Sequence, residues 1–206
     1  MEMPSAVHNK NKTLQWLQNL EANLPLSNLD GITRLDLYAM PVSDEDLVHL
    51  HTLPNLEFLS LAKTAITNAG IRRLKPLLRL KELHLDYTAL TDQCLPYLTG
   101  FRNLHTLDLK ATAVSDQGLL QLEPLKKSLR MLYLMSTEIG DKGIQHLCFL
   151  KGLEGLILWD TPVTDLAIPI LRQFNKLKFL DIQNTLISTE GRQELEACLP
   201  GCDLFF

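Results

Sequence analysis

Hydrophobic and polar residues follow one pattern that recurs from Ile32 to the C-terminus. The clearest copy begins at Leu80, where three leucines stand at the spacing L-x-x-L-x-L between polar residues. An alternation of period two predicts a short β-strand. The remainder of the copy, up to Asn103, repeats apolar residues at about every third position, which predicts a helix or a 3₁₀ turn. Because one copy cannot bury its own apolar face, we expect the copies to stack on one another.

Seven copies of this unit succeed one another at a period of 24 residues, with one extra residue in the fourth. The ninth position is Thr in every copy except the first, which has Met40. A buried hydroxyl in a stack of similar turns can satisfy a backbone group that would otherwise lack a partner. We therefore interpret the threonines as a structural ladder and not as nucleophiles. The copies begin at Ile32, Leu56, Leu80, Leu104, Leu129, Leu153 and Leu177.

Two further residue types recur at equal positions in the second half of the copies. A Ser or Thr followed by Asp or Asn, as in Thr91-Asp92, is typical of a helix N-cap with an acid at the positive end of the helix. Two positions after the acid stands a small residue, which predicts a close approach of helix and sheet. The small residues are Gly70, Cys94, Gly118, Gly143, Ala167 and Gly191.

The chain divides into three predicted segments. Residues 1–12 are predicted to be disordered. Residues 13–31 are predicted to form a helical N-terminal cap, with Thr13 as N-cap and Pro25 ending the helix. The repeat domain covers residues 32–206 and closes with an apolar tail, which we expect to form a short strand over the last coil. Such caps are needed because an open solenoid end exposes its core.

The consensus L-x-x-L-x-L-x-x-T-x-[IVL]-[TS]-D-x-G-[LI]-x-x-L-x-x-L resembles the leucine-rich repeat family over about Ile32 to Phe206. Within that family it is similar to the subclass with 24-residue repeats found in many bacterial proteins and in F-box-associated proteins. The resemblance implies an α/β fold: a right-handed solenoid, or horseshoe, with a concave parallel β-sheet and convex helices. It also implies a binding scaffold without a cofactor, whose partner is set by variable surface positions.

Composition narrows the classes of partner. The 206 residues carry a net charge of −4, which is not the electrostatic footprint of a nucleic-acid binder. No apolar run approaches the ~18 residues of a membrane span, so no membrane partner is predicted. We expect a monomer that binds a protein.

The four cysteines predict neither a metal site nor a disulfide framework. Cys94 and Cys198 occupy positions of small or core residues and are interpreted as buried hydrophobes. Cys198 and Cys202 have no second pair of ligands at a zinc-binding spacing. The pattern suits a reducing compartment and favours a cytoplasmic location, with a secreted bacterial effector as the alternative.

In a solenoid of this kind, positions 3, 5 and 7 of each copy lie on the concave face. Adjacent strands are ~4.8 Å apart, so equal positions form rows. The last three copies bring together apolar side chains that the leucine core does not need. We predict that these bind a partner, the alternative being that they pack on each other or on an N-terminal tail. They are Met131, Tyr133, Met135, Ile157, Trp159 and Phe179.

The first half of the same face is polar and mostly acidic. Such a field would attract a basic partner, although a merely solvated face gives the same pattern. The predicted partner is therefore a protein that carries an apolar anchor and basic groups. The residues of this half are Asp36, Glu82, His84, Asp86 and Asp108.

One group of three residues has the composition of a catalytic triad. Ser60, His84 and Asp108 stand at the same position of three successive strands, in the order nucleophile, base and orienting acid. An open sheet has no strained nucleophile turn and no oxyanion hole, and a face of seven strands offers many chance triples. We therefore predict no catalytic site.

The sequence thus predicts a non-enzymatic protein–protein interaction scaffold. A ubiquitin-ligase-type substrate adaptor is the alternative within binding proteins, but it needs an F-box-like helix bundle that residues 13–31 are too short to form. A basic cluster on a convex helix, Arg72 to Arg79, is interpreted as solvated.

Overall fold

Eight short parallel strands form one sheet in the computed structural model, which describes residues 6–20 and 28–206. The strands follow one another in chain order, each hydrogen-bonded to the next. Residues at equal positions of neighbouring copies pair, as Arg34 does with Phe58 and Thr106 with Met131, so the rows expected from the sequence are present. The strands are β1 (Arg34–Asp36), β2 (Phe58–Ser60), β3 (Glu82–His84), β4 (Thr106–Asp108), β5 (Met131–Tyr133), β6 (Gly155–Ile157), β7 (Phe179–Asp181) and β8 (Asp203–Phe205).

Helices connect the strands across the convex side. The α-helices are α1 (Ala6–Asn19), α2 (Asn68–Ile71), α3 (Leu95–Leu98), α4 (Asp141–His146), α5 (Ile168–Leu171) and α6 (Thr189–Cys198). The 3₁₀ helices are Leu29–Gly31, Asp46–Thr52, Arg72–Leu74, Asp92–Cys94, Gly118–Leu125 and Asp165–Ala167. Among the described helices, none combines the length and the apolar character that crossing a membrane requires.

The leucines of the repeat fill a continuous core between sheet and helices. Leu80, Leu83 and Leu85 are all 0% exposed, as are Leu95 and Leu98 on the convex side of the same copy. Both halves of the unit therefore bury their apolar stripe only because neighbouring copies cover it. This confirms the α/β leucine-rich-repeat solenoid expected from the sequence.

The two cysteines predicted as core residues differ in the structure. Cys94 is buried, and burial raises the pKa of its thiol to about 12. Cys198 is exposed, so its assignment to the core was wrong. The core positions of α6 are taken by Leu195 and by Leu199, which follows the helix four residues later, and Cys198 lies on the outer side of the helix.

In the structure the N-terminal helix begins at Ala6 and not after Thr13, so it includes residues 6–12, which the sequence predicts to be disordered. Thr13 lies inside the helix, is 0% exposed, and its hydroxyl donates to the His49 carbonyl at 3.3 Å. Trp16 stacks on the His49 ring at a centroid distance of 5.0 Å. These contacts hold α1 against the first copy, although the capping pattern of the sequence starts the helix only at Thr13. Residues 1–5 and Pro25 lie outside the described residues.

The threonine column forms the ladder that the sequence predicts. Each hydroxyl donates to the backbone carbonyl three residues earlier in its own coil, as Thr112 Oγ1 does to Leu109 O at 2.6 Å. The first five threonines are 4–8% exposed, whereas Thr185 in the last copy is half-buried. The six donors are Thr64, Thr88, Thr112, Thr137, Thr161 and Thr185.

A column of left-handed residues precedes the threonines, with φ between 51° and 58°. Left-handed backbone costs a residue with a Cβ roughly 1–2 kcal/mol, so glycine would be expected there, yet none of the seven is Gly. The conformation lets the N–H of this residue reach the next coil, as Lys63 N does to Asp86 O at 2.9 Å. The column comprises Ala39, Lys63, Tyr87, Ala111, Ser136, Asp160 and Asn184.

The acids after the capping residues join one coil to the next. Asp92 accepts the Ser115 N–H at 2.7 Å and the Ser115 hydroxyl at 2.6 Å. The same double contact links Asp165 to Ser188 and holds the pKa of Asp165 below its usual value. The sequence predicts only an electrostatic role for these acids at a helix end; the structure adds a column of side-chain bridges between coils.

The same acids explain the glycine column. A Cβ at Gly118 would overlap the carboxylate of Asp92, and one at Gly143 that of Asp116. The predicted reason, a close approach of helix and sheet, was therefore incomplete: the small residue leaves room for the side chain of the preceding coil. Gly118 does not have positive φ, so its requirement is steric.

We expect Thr112→Val to lower the free energy of unfolding by about 1–3 kcal/mol, because the buried Leu109 carbonyl loses its side-chain donor. Urea denaturation measures the change. Thr112→Ser, which keeps the hydroxyl, is the matched control and should lose clearly less. A Val variant as stable as the parent would contradict the structural ladder.

We expect Gly118→Ala to destabilise the chain by about 1–3 kcal/mol, since the new methyl group displaces the Asp92 carboxylate and strains its bridge to Ser115. Thermal unfolding measures the loss. The control is Gly100→Ala, because an added Cβ there meets no atom within 4 Å. Equal effects of the two substitutions would show that the Asp92 bridge does not set the requirement.

Candidate binding surface on the concave face

The concave face carries the apolar side chains singled out in the sequence. We call Met131, Tyr133, Met135, Ile157, Trp159 and Phe179 the apolar patch. They lie on β5, β6 and β7 or directly after β5 and β6. Phe179 is 41% exposed and the others are half-buried, whereas the leucines between them are fully buried. The patch is thus a layer above the core and not a part of it.

Gly155 shapes the centre of this patch. The Met131 thioether lies across the place that a side chain at Gly155 would occupy. Met131 therefore covers the gap on the neighbouring strand. Methionine fills irregular gaps easily and can repack on contact, which suits a binding surface.

Trp159 contacts a residue of the polar half of the face. Lys110 Nζ lies 5.5 Å from the Trp159 ring centroid, although Lys110 belongs to the copy two before that of Trp159. The two side chains together therefore reach across the intervening copy, which carries Met135 at the equivalent position. Trp159 connects the two halves of the concave face.

A ladder of lysines and aromatic rings continues from Trp159 toward the first copy. Lys110 Nζ also lies 5.3 Å from the Tyr87 ring, and Lys63 Nζ lies 5.1 Å from both Tyr87 and Tyr38. A cation over a ring face is attracted by the ring quadrupole. We call Tyr38, Lys63, Tyr87, Lys110 and Trp159 the lysine–aromatic ladder. Sequence reasoning missed it because Lys63 and Tyr87 are left-handed residues outside positions 3, 5 and 7.

The last strand adds one aromatic residue that the sequence assigned only to the end cap. Phe205 on β8 pairs with Asp181 and is 45% exposed. Asp181 pairs in turn with Ile157 of the apolar patch, so Phe205 stands in the same row. The alternation of the final segment was the signal that could have placed it there.

The polar half centres on three side chains that we call the His84 cluster: His84, Asp86 and Asp108. His84 Nδ1 lies 3.6 Å from Asp108 Oδ2, which is an ion-pair distance rather than a hydrogen bond. One donor atom from each of the three lies within 4.8 Å of the others. The His84 ring is tilted against Phe58 at 5.2 Å, and the Arg34 guanidinium covers Phe58 at 3.4 Å.

The groups in the His84 cluster shift one another's pKa values. Contact with the Asp108 carboxylate raises the pKa of His84 above its usual value, although burial opposes the shift. Burial raises the pKa of Asp86, and the neighbouring Asp108 raises it further. Burial, followed by the charge of Asp108, also raises the pKa of Tyr133 across the strand. The cluster holds two carboxylates that repel each other in partly desolvated surroundings.

Of the three residues considered as a hydrolytic site, Ser60, His84 and Asp108, the structure brings only two into contact. His84 and Asp108 meet, but among the described residues no hydrogen bond joins Ser60 to His84. Ser60 is 5% exposed, so its hydroxyl is also poorly accessible to a substrate. The geometry gives no support to a serine nucleophile.

On the convex side, the basic cluster is engaged locally. Arg73 pairs with Glu45 at 2.8 Å, and Lys75 Nζ lies 5.7 Å from the Tyr97 ring. These contacts fit the interpretation of a solvated surface.

Comparisons with known proteins agree with the repeat architecture. A family model described as Leucine Rich repeat matches residues 126–148. Among solved structures, an internalin (inlF) from Listeria monocytogenes is similar with a TM-score of 0.70 at 24% identity, over 88% of this chain and 49% of that one. Internalin C2 (inlC2) from the same bacterium gives a TM-score of 0.69 at 26% identity, over 95% of this chain and 81% of that one. Curated protein sequences give no significant match. The chain spans about half the length of the first internalin, so the likeness concerns the repeat scaffold.

We expect NMR titration of His84 to give a pKa above its ordinary value of 6.5, because Asp108, Asp86 and Glu82 all favour the charged ring. A raised folded-state pKa means that the stabilisation is complete below the unfolded-state pKa. It is lost as the pH rises through the folded-state pKa.

Asp108→Asn removes the carboxylate nearest to the ring and should lower the pKa of His84. Asp36→Asn, in the same row on β1, is the control and should leave it unchanged. An unshifted His84 pKa in the parent chain would contradict the described cluster.

Proposed function

We propose that this leucine-rich repeat protein binds a protein partner on its concave face, with the apolar patch as the anchor site. The observation that carries the proposal is the layer of half-exposed apolar and aromatic side chains above a core that the leucines already fill. Contiguous apolar surface with aromatic residues is typical of contact sites. The parallel sheet presents the patch on a rigid backbone, so little ordering would be needed on binding.

The partner that fits this face offers an apolar anchor. Phe179 on β7 and Phe205 on β8 are 41% and 45% exposed, and both lie on the C-terminal side of the half-buried Ile157 and Trp159. A Leu, Met or aromatic side chain of the partner would bury its surface against Ile157 and Trp159, beside these two exposed rings. Trp and Tyr at the centres of contact sites carry a disproportionate share of binding energy.

Charge contributes less to the proposed partner binding than the apolar patch does. The acidic half holds Asp36, Glu82, Asp86 and Asp108, but Lys63 and Lys110 of the lysine–aromatic ladder lie in the same half. The polar half of the concave face is therefore less negatively charged than the sequence predicts. A basic flank on the partner would add attraction along the acidic row and speed encounter more than it slows release.

The adaptor alternative finds no support in the N-terminal helix. Leu17 of α1 is 0% exposed, and Trp16 stacks on His49 of the first copy. The apolar side of α1 is thus used by the solenoid itself. The subclass with 24-residue repeats, the cytoplasmic location and the effector role stay predictions from the sequence.

We expect Trp159→Ala to weaken binding of a partner captured with the intact chain by ~2 kcal/mol or more, because the indole lies at the centre of the patch. Isothermal titration with the purified partner measures the change. Folding should lose about 1–2 kcal/mol, because the half-buried indole gives up buried apolar area together with its contact to Lys110.

The matched control is Leu166→Ala, which truncates a 73% exposed apolar residue on the convex side. It should leave binding unchanged. If Leu166→Ala abolishes binding while Trp159→Ala does not, the partner binds the convex face and the proposal is wrong.

A further inference from the structure

The His84 cluster has a feature that protein binding does not require. It places one imidazole nitrogen and two carboxylate oxygens on one spot of the sheet, each within 4.8 Å of the others. His84 and Asp108 are paired residues on β3 and β4, and Asp86 follows His84 on the same side of the chain. The sequence places the three residues on the same half of the concave face but does not show that their ligand atoms converge.

The distances are close to those around a bound metal ion. A tetrahedral Zn²⁺ has bonds of about 2.0–2.2 Å to His and carboxylate ligands, so its ligand atoms lie roughly 3.4 Å apart. His84 Nδ1 and Asp108 Oδ2 are already 3.6 Å apart. The ligand oxygen of Asp86 lies within 4.8 Å of the other two atoms and would have to move closer to join them.

The donor atoms are held in place by their surroundings. The Lys110 backbone N–H donates to Asp108 Oδ1 at 2.9 Å, which leaves Oδ2 directed at His84. The His84 ring lies against Phe58 at 5.2 Å. Side chains that orient the ligands in this way raise metal affinity.

The neighbouring lysines offset the carboxylate charges only in part, because burial and the charge of Asp108 raise the pKa of Asp86 more than the charge of Lys110 lowers it. Lys110 and Lys63 lie over aromatic rings, and within the described part of the chain no salt bridge joins either one to Asp86 or Asp108. The side chains of His84 and Asp108 are only 26% and 15% exposed, so water screens the carboxylate repulsion incompletely. A divalent cation between the two carboxylates would remove this repulsion.

We propose that His84, Asp86 and Asp108 bind one divalent transition-metal ion of the Zn²⁺ type on the concave face. One imidazole and two carboxylates are a donor set that such ions accept. Three protein ligands leave a coordination position that faces the concave surface and is open to water or to a side chain of a bound protein. The inference does not rest on the proposed partner, since the ion binds the chain alone.

The test is isothermal titration of Zn²⁺ into the untagged full chain, stripped of metal with a chelator. Cys148 and Cys198 are exposed and Cys202 is half-buried, and thiolates bind zinc, so all three are replaced by Ser in every variant. We expect one ion per chain and a shift of the His84 imidazole signals in NMR spectra. His84→Ala, Asp86→Asn and Asp108→Asn should each weaken binding at least about tenfold.

Asp36→Asn is the matched control. Asp36 stands in the same row as His84 and Asp108, and its Oδ1 accepts the Tyr38 N–H at 3.0 Å just as Asp108 Oδ1 accepts that of Lys110, but no histidine pairs beside it. Binding should survive in this variant. Melting in the presence of EDTA shows that each variant is folded.

Two outcomes would overturn the proposal. Zinc that causes no heat change and no shift of the His84 signals would show that the cluster is an ion pair alone. Zinc that binds equally well after His84→Ala and Asp108→Asn would show an adventitious ion elsewhere on the chain.

Discussion

Hydrogen bonding between successive coils is the constraint on which the rest of this structure depends. Each strand has only three residues, so it can satisfy its backbone only by pairing with the copies before and after it. The pairing holds in register from β1 to β8, including the copy with the extra residue. Every other column follows from this, because a side chain that suits one coil must suit its stacked neighbours.

The threonine column and the acid column form their hydrogen bonds in two different ways. The threonine hydroxyls bond the backbone of their own coil, whereas Asp92 and its equivalents bond the capping residue of the next coil. The first solution needs one residue type at one position. The second needs three at once: an acid, a capping residue that donates to it in the next coil, and a small residue, such as Gly118 or Ala167, that leaves it room. The threonine hydroxyls are buried, so losing the partner would cost more than the bond itself contributes. The acids are half-buried or exposed, and they act by joining one coil to the next.

The concave face is free of these requirements, and its residues differ from copy to copy. The core needs only the leucines, so positions 3, 5 and 7 can carry chemistry. The face divides into an apolar patch and a polar half, with Trp159 and Lys110 in contact across the boundary. The lysine–aromatic ladder holds two ammonium groups over rings and without a salt bridge to the described carboxylates of the His84 cluster, in which Asp108 lies beside the imidazole. A partner on the patch and a cation in the cluster would thus occupy neighbouring areas of one rigid surface.

The repeat alone predicts the solenoid, its strand register, its core and the rows of the concave face, because each copy packs against copies that carry the same pattern. It did not determine the start of α1, which depends on packing of Trp16 and Thr13 against His49 far along the chain. Nor did it reveal why Gly118 must be small, since the Asp92 side chain arrives from the preceding coil. The sequence places His84 and Asp108 in one row but does not show how closely they approach, and it does not show that Lys63 and Tyr87 meet. These contacts are visible in the folded chain alone, because side-chain direction and left-handed backbone do not follow from the period of the repeat.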